Sequence, residues 1–172
     1  MARLLLSFCM IILFGCKSNK IVESNTRLIQ EEDLNWCPSD SVCSFEVLPN
    51  KAVELKRDKF GKTFTVFRDS GSSVLKFEYV RNEMPGLEDS SYREVVYVEL
   101  QDLETSFEVS DMALSKYNVI YERWCFCRGA TGSYRVSSGS MTYNSLKDGK
   151  SIYLKFDNKQ VPQVLKSVAA NF

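Results

Sequence analysis

Four cysteines in the body of the chain are the side chains whose types and spacing could do chemistry. Cys37 and Cys43 are separated by five residues, Cys125 and Cys127 by one. Paired thiols can hold a metal, cycle between dithiol and disulfide, or staple a fold. Structural zinc sites use pairs separated by roughly two to four residues, which neither pair matches. Redox pairs sit in C-x-x-C near a helix N-terminus, whereas Cys125 and Cys127 fall within a strand-like pattern. No histidine occurs anywhere in the 172 residues. Its absence removes Ser-His-Asp and Cys-His catalysis, the commonest general base and the commonest zinc ligand. Neither a metal nor a cofactor is expected.

The compartment decides between these chemistries, and the N-terminus speaks to it. Met1-Ala2-Arg3 is a short basic start, and the run from Leu4 to Phe14 carries no charge. It falls short of the ~20 residues that span a bilayer and has the length of a signal-peptide core. The run ends in Leu13-Phe14-Gly15-Cys16, just before a polar stretch opening at Lys17. At this point the chain resembles bacterial lipoprotein precursors, whose lipobox is an aliphatic residue, two small or medium residues and an obligatory cysteine. Leu13, Gly15 and Cys16 match, and Phe14 is bulkier than the usual occupant. The resemblance covers the first sixteen residues. It implies cleavage before Cys16 and acylation of that thiol, and several acyl chains at ~0.8 kcal/mol per buried CH₂ make a stable anchor. Lys17 stands where some lipoproteins carry the aspartate that retains them in the inner membrane. The implied location is therefore the outer membrane, facing the periplasm or the cell surface. An ordinary secretory signal is the alternative.

The resemblance takes Cys9 away with the signal and places Cys16 on lipid. Four cysteines then remain in an exported domain, and such sets form two disulfides. Cys125 and Cys127, at i and i+2 on a strand, would lie ~7 Å apart, at the limit of a bridge. They are therefore expected to reach across to Cys37 and Cys43. A bridge closing ~90 residues would contribute ~4–5 kcal/mol in the chain-entropy picture. The other arrangement is a local Cys37–Cys43 loop beside a Cys125/Cys127 dithiol.

Composition bounds the rest. Beyond Gly15 the chain carries 21 basic and 22 acidic residues, so it has no electrostatic footprint for nucleic acid. Sparse Gly and Pro with frequent Phe, Tyr and Val favour strands over disorder. Three units are expected: a signal over 1–15, a lipidated cysteine and polar tether over 16–33, and one β-rich domain over 34–172. Leu28 to Leu34 could be a short helix or an edge strand.

Within the domain, apolar segments alternate with turn signals. Ser44 to Leu48 stops at Pro49-Asn50, and Ala52 to Lys56 follows. Lys62 to Arg68 and Val74 to Arg81 are separated by Asp69-Ser70-Gly71-Ser72, read as a hairpin loop. Tyr92 to Leu100 places Val96, Val98 and Leu100 on one face. Ser106 to Val109 is a short strand, and Tyr117 to Cys127, apolar on both faces, a central one. Asp148-Gly149 suits a two-residue type I′ turn between the last two strands. Pro162 with Val161, Val164, Leu165 and Val168 at i, i+3, i+4 and i+7 predicts a short C-terminal helix. The expected fold is all-β, an antiparallel sandwich or closed barrel of about eight to nine strands. Mixed α+β is the fallback if Leu28 to Leu34 and Met112 to Tyr117 are helical.

Other motifs have plainer readings. Ser73-Val74-Leu75-Lys76 spells S-x-x-K, but penicillin-recognising enzymes need that pair one helical turn apart, and a strand points the two to opposite faces. Arg128-Gly129-Ala130-Thr131-Gly132 could be an anion nest and reads equally as a tight turn. Glu31-Glu32 and Glu88-Asp89 are solvated loop carboxylates. Asp40-Ser41-Val42 resembles the O-glycosylation sequon of some Gram-negative exported proteins. Together these expectations describe a non-catalytic envelope lipoprotein, attached to the membrane through Cys16, whose β domain binds an envelope protein or supports envelope structure. A carrier for a small hydrophobic ligand in a lipocalin-like barrel is the alternative, and a histidine-free hydrolase the third.

Overall fold

The computed structural model describes residues 35–172. The signal run, Cys16, the tether with Glu31-Glu32 and the Leu28 to Leu34 stretch lie outside the described residues. Nine strands form two antiparallel sheets. The five-stranded sheet contains β1 (Ser41–Arg57), β2 (Thr63–Arg81), β3 (Tyr92–Leu100), β5 (Ile120–Cys125) and β6 (Gly132–Arg135), in the order β1-β2-β3-β5-β6. The four-stranded sheet runs β4-β7-β8-β9, from β4 (Phe107–Ser110), β7 (Gly139–Leu146), β8 (Gly149–Phe156) and β9 (Ser167–Asn171). Among the described residues no closed barrel forms.

The two sheets share one core because alternation gives each an apolar inner face. Leu75, Phe77 and Tyr79 of β2, Val96 and Val98 of β3 and Tyr121 of β5 face Met141 and Tyr143 of β7 and Ile152 and Leu154 of β8. Each such buried side chain contributes roughly 1.5–3 kcal/mol. Between the sheets the chain crosses through a short 3-10 helix, Asp111–Tyr117, which buries Leu114 and ends on Asn118 in a left-handed conformation.

The alternation identifies β3, β4 and β5; Met112 to Tyr117 lies within the 3-10 turn, and the described residues are all-β rather than the mixed α+β of the fallback. Elsewhere the structure differs. The segments broken at Pro49-Asn50 and at Asp69 to Ser72 are single long strands with a bulge. Pro49 pairs with Ser73 and Lys51 with Asp69, so Asn50 alone faces three residues of β2. Asn50 adopts φ 57°, a value Asn tolerates better than most residues, and the hairpin bends there rather than ending. Its far half folds over the outer face of the sheet: Thr63 Oγ1 donates to Ser133 O, Val53 N donates to Glu99 Oε2 at 3.1 Å, and Phe67 meets Tyr97 edge-on at 5.4 Å. The β7–β8 turn falls one residue early, on Lys147-Asp148, with Gly149 already in β8.

The predicted C-terminal helix does not form. Residues 157–166 are irregular and lead into β9. The amides of Val164 and Leu165, which a helix start would leave unpaired, donate instead to the Glu94 carboxylate at 2.7 and 2.8 Å. Val161, Leu165 and Val168 are buried as expected, but by a loop and a strand.

Candidate functional site

At the end of the five-stranded sheet where β2 finishes and β3 begins, three loops converge. The register pairs Ser41 with Arg81, Val80 with Arg93, and Tyr92 with Cys125. The Cys37 loop, the 82–91 loop and the β5–β6 turn therefore stand side by side. The 82–91 loop and the β5–β6 turn, with the ends of β2 and β3, frame an open cleft of about 480 Å³ whose walls include Val80, Arg81, Arg93, Trp124, Cys125, Phe126 and Thr131.

Beneath the cleft the strands are locked by buried carboxylates. On the inner face Glu94, wholly buried, accepts from Tyr92 OH as well as from the Val164 and Leu165 amides. Arg123 Nε donates to Tyr92 OH at 3.0 Å. Burial, and then the carboxylate it bonds, push the Tyr92 phenol up to about 12. On the outer face Glu122 accepts from Ser133 Oγ at 2.7 Å, Trp124 Nε1 at 3.1 Å and Tyr97 OH at 3.5 Å. Burial, and then the Glu122 charge, raise the Tyr97 phenol well above its ordinary range. A buried carboxylate with several donors is a satisfied structural group, and these two are committed to holding strands and loops together.

Above that layer the side chains face outward. Trp124 is fixed from below by Glu122 and from one face by the Arg93 guanidinium, 5.5 Å from its ring centre. Arg93 is itself paired with Glu78 at 3.2 Å. Arg81 donates to Ser90 O and lies over the Tyr92 ring. Phe126, in the bend that ends β5, is 81% exposed, with Val80 and Trp124 beside it at 41% and 37%. Met84 and Leu87 stand exposed on the neighbouring loop.

The four predicted cysteines are all disulfide-bonded, and both bridges are local: Cys37–Cys43 and Cys125–Cys127. The expected long-range bridges do not form, because β2 and β3 lie between β1 and β5. Three strand spacings hold Cys43 roughly 14 Å from Cys125, far beyond a bridge. Cys125 ends β5 and Phe126 bends the chain, so the Cys125 and Cys127 Cα atoms approach to 5.1 Å, closer than a continuous strand allows. In the chain-entropy picture loops this short contribute only ~2.4 kcal/mol for Cys37–Cys43 and ~1.6 kcal/mol for Cys125–Cys127.

The remaining motifs resolve simply. Lys76 faces outward and pairs with Glu78 at 2.9 Å, while Ser73 points to the opposite side of β2. Arg128 to Gly132 make a turn, closed by Ala130 N donating to Cys127 O at 3.2 Å, with Gly129 at φ 76°. Glu88 and Asp89 are exposed. The Ser41 hydroxyl turns into its own disulfide loop and donates to Pro38 O. Among the described residues no group of three or more His, Cys, Asp or Glu is placed to hold a metal ion.

Glu94, Glu122 and the aromatic rim were not among the sequence candidates. A signal for Glu94 exists: stepping back by two from Val96 puts it on the core face. Nothing local marks Phe126, whose exposure depends on where β5 stops. No family model matches the chain, and no curated protein or solved structure matches it.

Proposed function

We propose that this protein is a lipid-anchored, non-catalytic domain of the bacterial envelope that binds a partner protein at the Trp124–Phe126 cleft. The observation that carries the reading is Phe126, 81% exposed on a short loop closed by a disulfide. A large aromatic side chain held in water beside Trp124, Val80 and two arginines has the composition of an interface hot spot. The anchor rests on the resemblance of Leu13-Phe14-Gly15-Cys16 to a lipobox, and Lys17, standing where an inner-membrane-retained lipoprotein carries aspartate, supports the outer membrane. Against a small-molecule carrier stands the filling of the inter-sheet space by Tyr79, Tyr121, Tyr143 and Phe77, all fully buried. Against a hydrolase stands the commitment of Glu94 and Glu122 to structural hydrogen bonds.

The test places a photo-crosslinking phenylalanine analogue at position 126 and, as a control, at Leu146, which is 57% exposed on the other sheet. Adducts in intact cells from position 126 alone support the reading, and equal or absent adducts at both sites overturn it. The intact mass of the native protein tests the anchor separately: a triacyl increment on a chain beginning at Cys16 is expected.

A further inference from the structure

We propose that the Cys125–Cys127 bridge is an exchangeable disulfide, through which the cleft captures a polypeptide carrying a free thiol. The identity of the ligand as a polypeptide rests on the binding reading above, while the reactivity of the bridge stands on its own surroundings.

The turn it spans is already closed without it. Ala130 N donates to Cys127 O, Thr131 Oγ1 donates to Cys125 O at 2.7 Å, and β5 pairs with β6 from Ile120 to Arg123. The bridge skips a single residue and is half-exposed at both cysteines. Its setting also favours a thiolate. Arg81 and Arg93 line the cleft with Cys125, and Arg128 follows Cys127 directly. Of the acids nearby, Glu83 stands on the rim, Glu78 is already paired with Arg93, and the buried Glu94 and Glu122 beneath the cleft are held by their own donors. Reactive cysteines occupy electropositive, partly exposed surroundings of this kind. Trp124 and Phe126 flank the sulfurs and would hold an apolar segment of the partner while its thiol approaches.

The step is a balanced exchange. A partner thiolate attacks one sulfur of the bridge, and a new S–S bond forms to the partner as the Cys125–Cys127 bond breaks. The electron pair leaves on the other cysteine as a thiolate. One disulfide replaces another, so no oxidant or reductant is consumed. Return attack by the freed thiolate restores the bridge and releases the partner.

The test uses the full chain, purified without reductant and equilibrated in graded ratios of reduced to oxidised glutathione. Acid quenching, alkylation and peptide mass then report each bridge, with Cys37–Cys43 as internal reference. Cys125–Cys127 is expected to open or carry glutathione at a reducing ratio at least tenfold lower than Cys37–Cys43. A Cys127→Ser variant is expected to accumulate a mixed disulfide at Cys125. A Cys125→Ser/Cys127→Ser double variant is expected to retain the cooperative unfolding of the wild type. The proposal is overturned if the two bridges open together, if Cys125–Cys127 opens last, or if both cysteines are alkylated before any reductant is added. Loss of the fold in the double variant overturns it as well, since the bridge would then be structural. Exchange with glutathione but no crosslink from position 126 would sink the binding reading and leave the reactive bridge standing.

Discussion

Strands β3 and β5 carry two regions that differ in almost every physical respect. On the inner face, Tyr92, Glu94 and Arg123 are buried and hydrogen-bonded to one another or to the 157–166 segment. A few residues along, at the end of β5, Trp124 and Phe126 project into water with arginines around them. The inner region spends charge on fixing a loop that the hydrophobic pattern alone would have made helical. The outer region leaves apolar surface uncovered at Phe126, Val80 and Trp124. The buried latch and the exposed aromatic rim thus sit on the same two strands, separated by side-chain direction and by the point at which β5 stops.

The sharpest way to break the comparison is Glu94→Ala. Removing that acceptor strands two buried amides, and stability is expected to fall by about 3–5 kcal/mol in urea denaturation. Wild-type stability in this variant would show that Glu94 is no latch. Glu94→Gln, which keeps one acceptor, should fall between the two.

Alkaline pH should act next, on Tyr92 in this region and on Tyr143 in the other sheet. Burial first, and then nearby carboxylates, push the Tyr92 and Tyr143 phenols up to about 12, against about 10 in the unfolded chain. The unfolded state therefore loses its phenol protons first. The stability these phenols contribute is fully present below pH ~10 and is lost as pH rises through about 12. The urea midpoint should decline across that interval, and Tyr143→Phe should lessen the decline. A midpoint level from pH 9 to 12 would refute the linkage.

The bridges come third. Replacing both cysteines of Cys37–Cys43 by serine should cost ~2.4 kcal/mol, and of Cys125–Cys127 ~1.6 kcal/mol. Losses of ~4–5 kcal/mol would indicate long-range pairing instead. Phe126→Ser should have the smallest effect on stability, within ~0.5 kcal/mol. In a chain carrying the photo-crosslinker at position 124, the same substitution should nevertheless remove the partner adduct. A Phe126→Ser variant that unfolds like Glu94→Ala would erase the distinction between the regions.

Much of the architecture follows from local chemistry. Alternation in Tyr92 to Leu100 fixes which side chains of β3 face the core, and the turn residues near Asp148 place the β7–β8 hairpin within one residue. The N-terminal run and Cys16 argue for export from residue types alone, without any fold. Other features depend on contacts distant in the chain. Whether Val161 to Val168 coils into a helix is decided by Glu94, some seventy residues earlier. The break expected at Asp69 to Ser72 becomes a bulge because β1 supplies a partner on both sides of it. Periodicity reports which residues seek burial, and it cannot report what buries them.

The same division governs the cysteines and the cleft. Residue types and an exported setting pointed to Cys37, Cys43, Cys125 and Cys127 as a disulfide set, with a Cys125/Cys127 dithiol left open. Only the strand order β1-β2-β3-β5-β6 decided their pairing, by inserting two strands between the pairs. Likewise Trp124 and Phe126 read as more apolar strand until β5 ends at Cys125 and β6 pairs no further than Arg123. Exposure is a property of where the neighbouring strand stops, and that is set by backbone hydrogen bonding across the sheet rather than by the residue exposed.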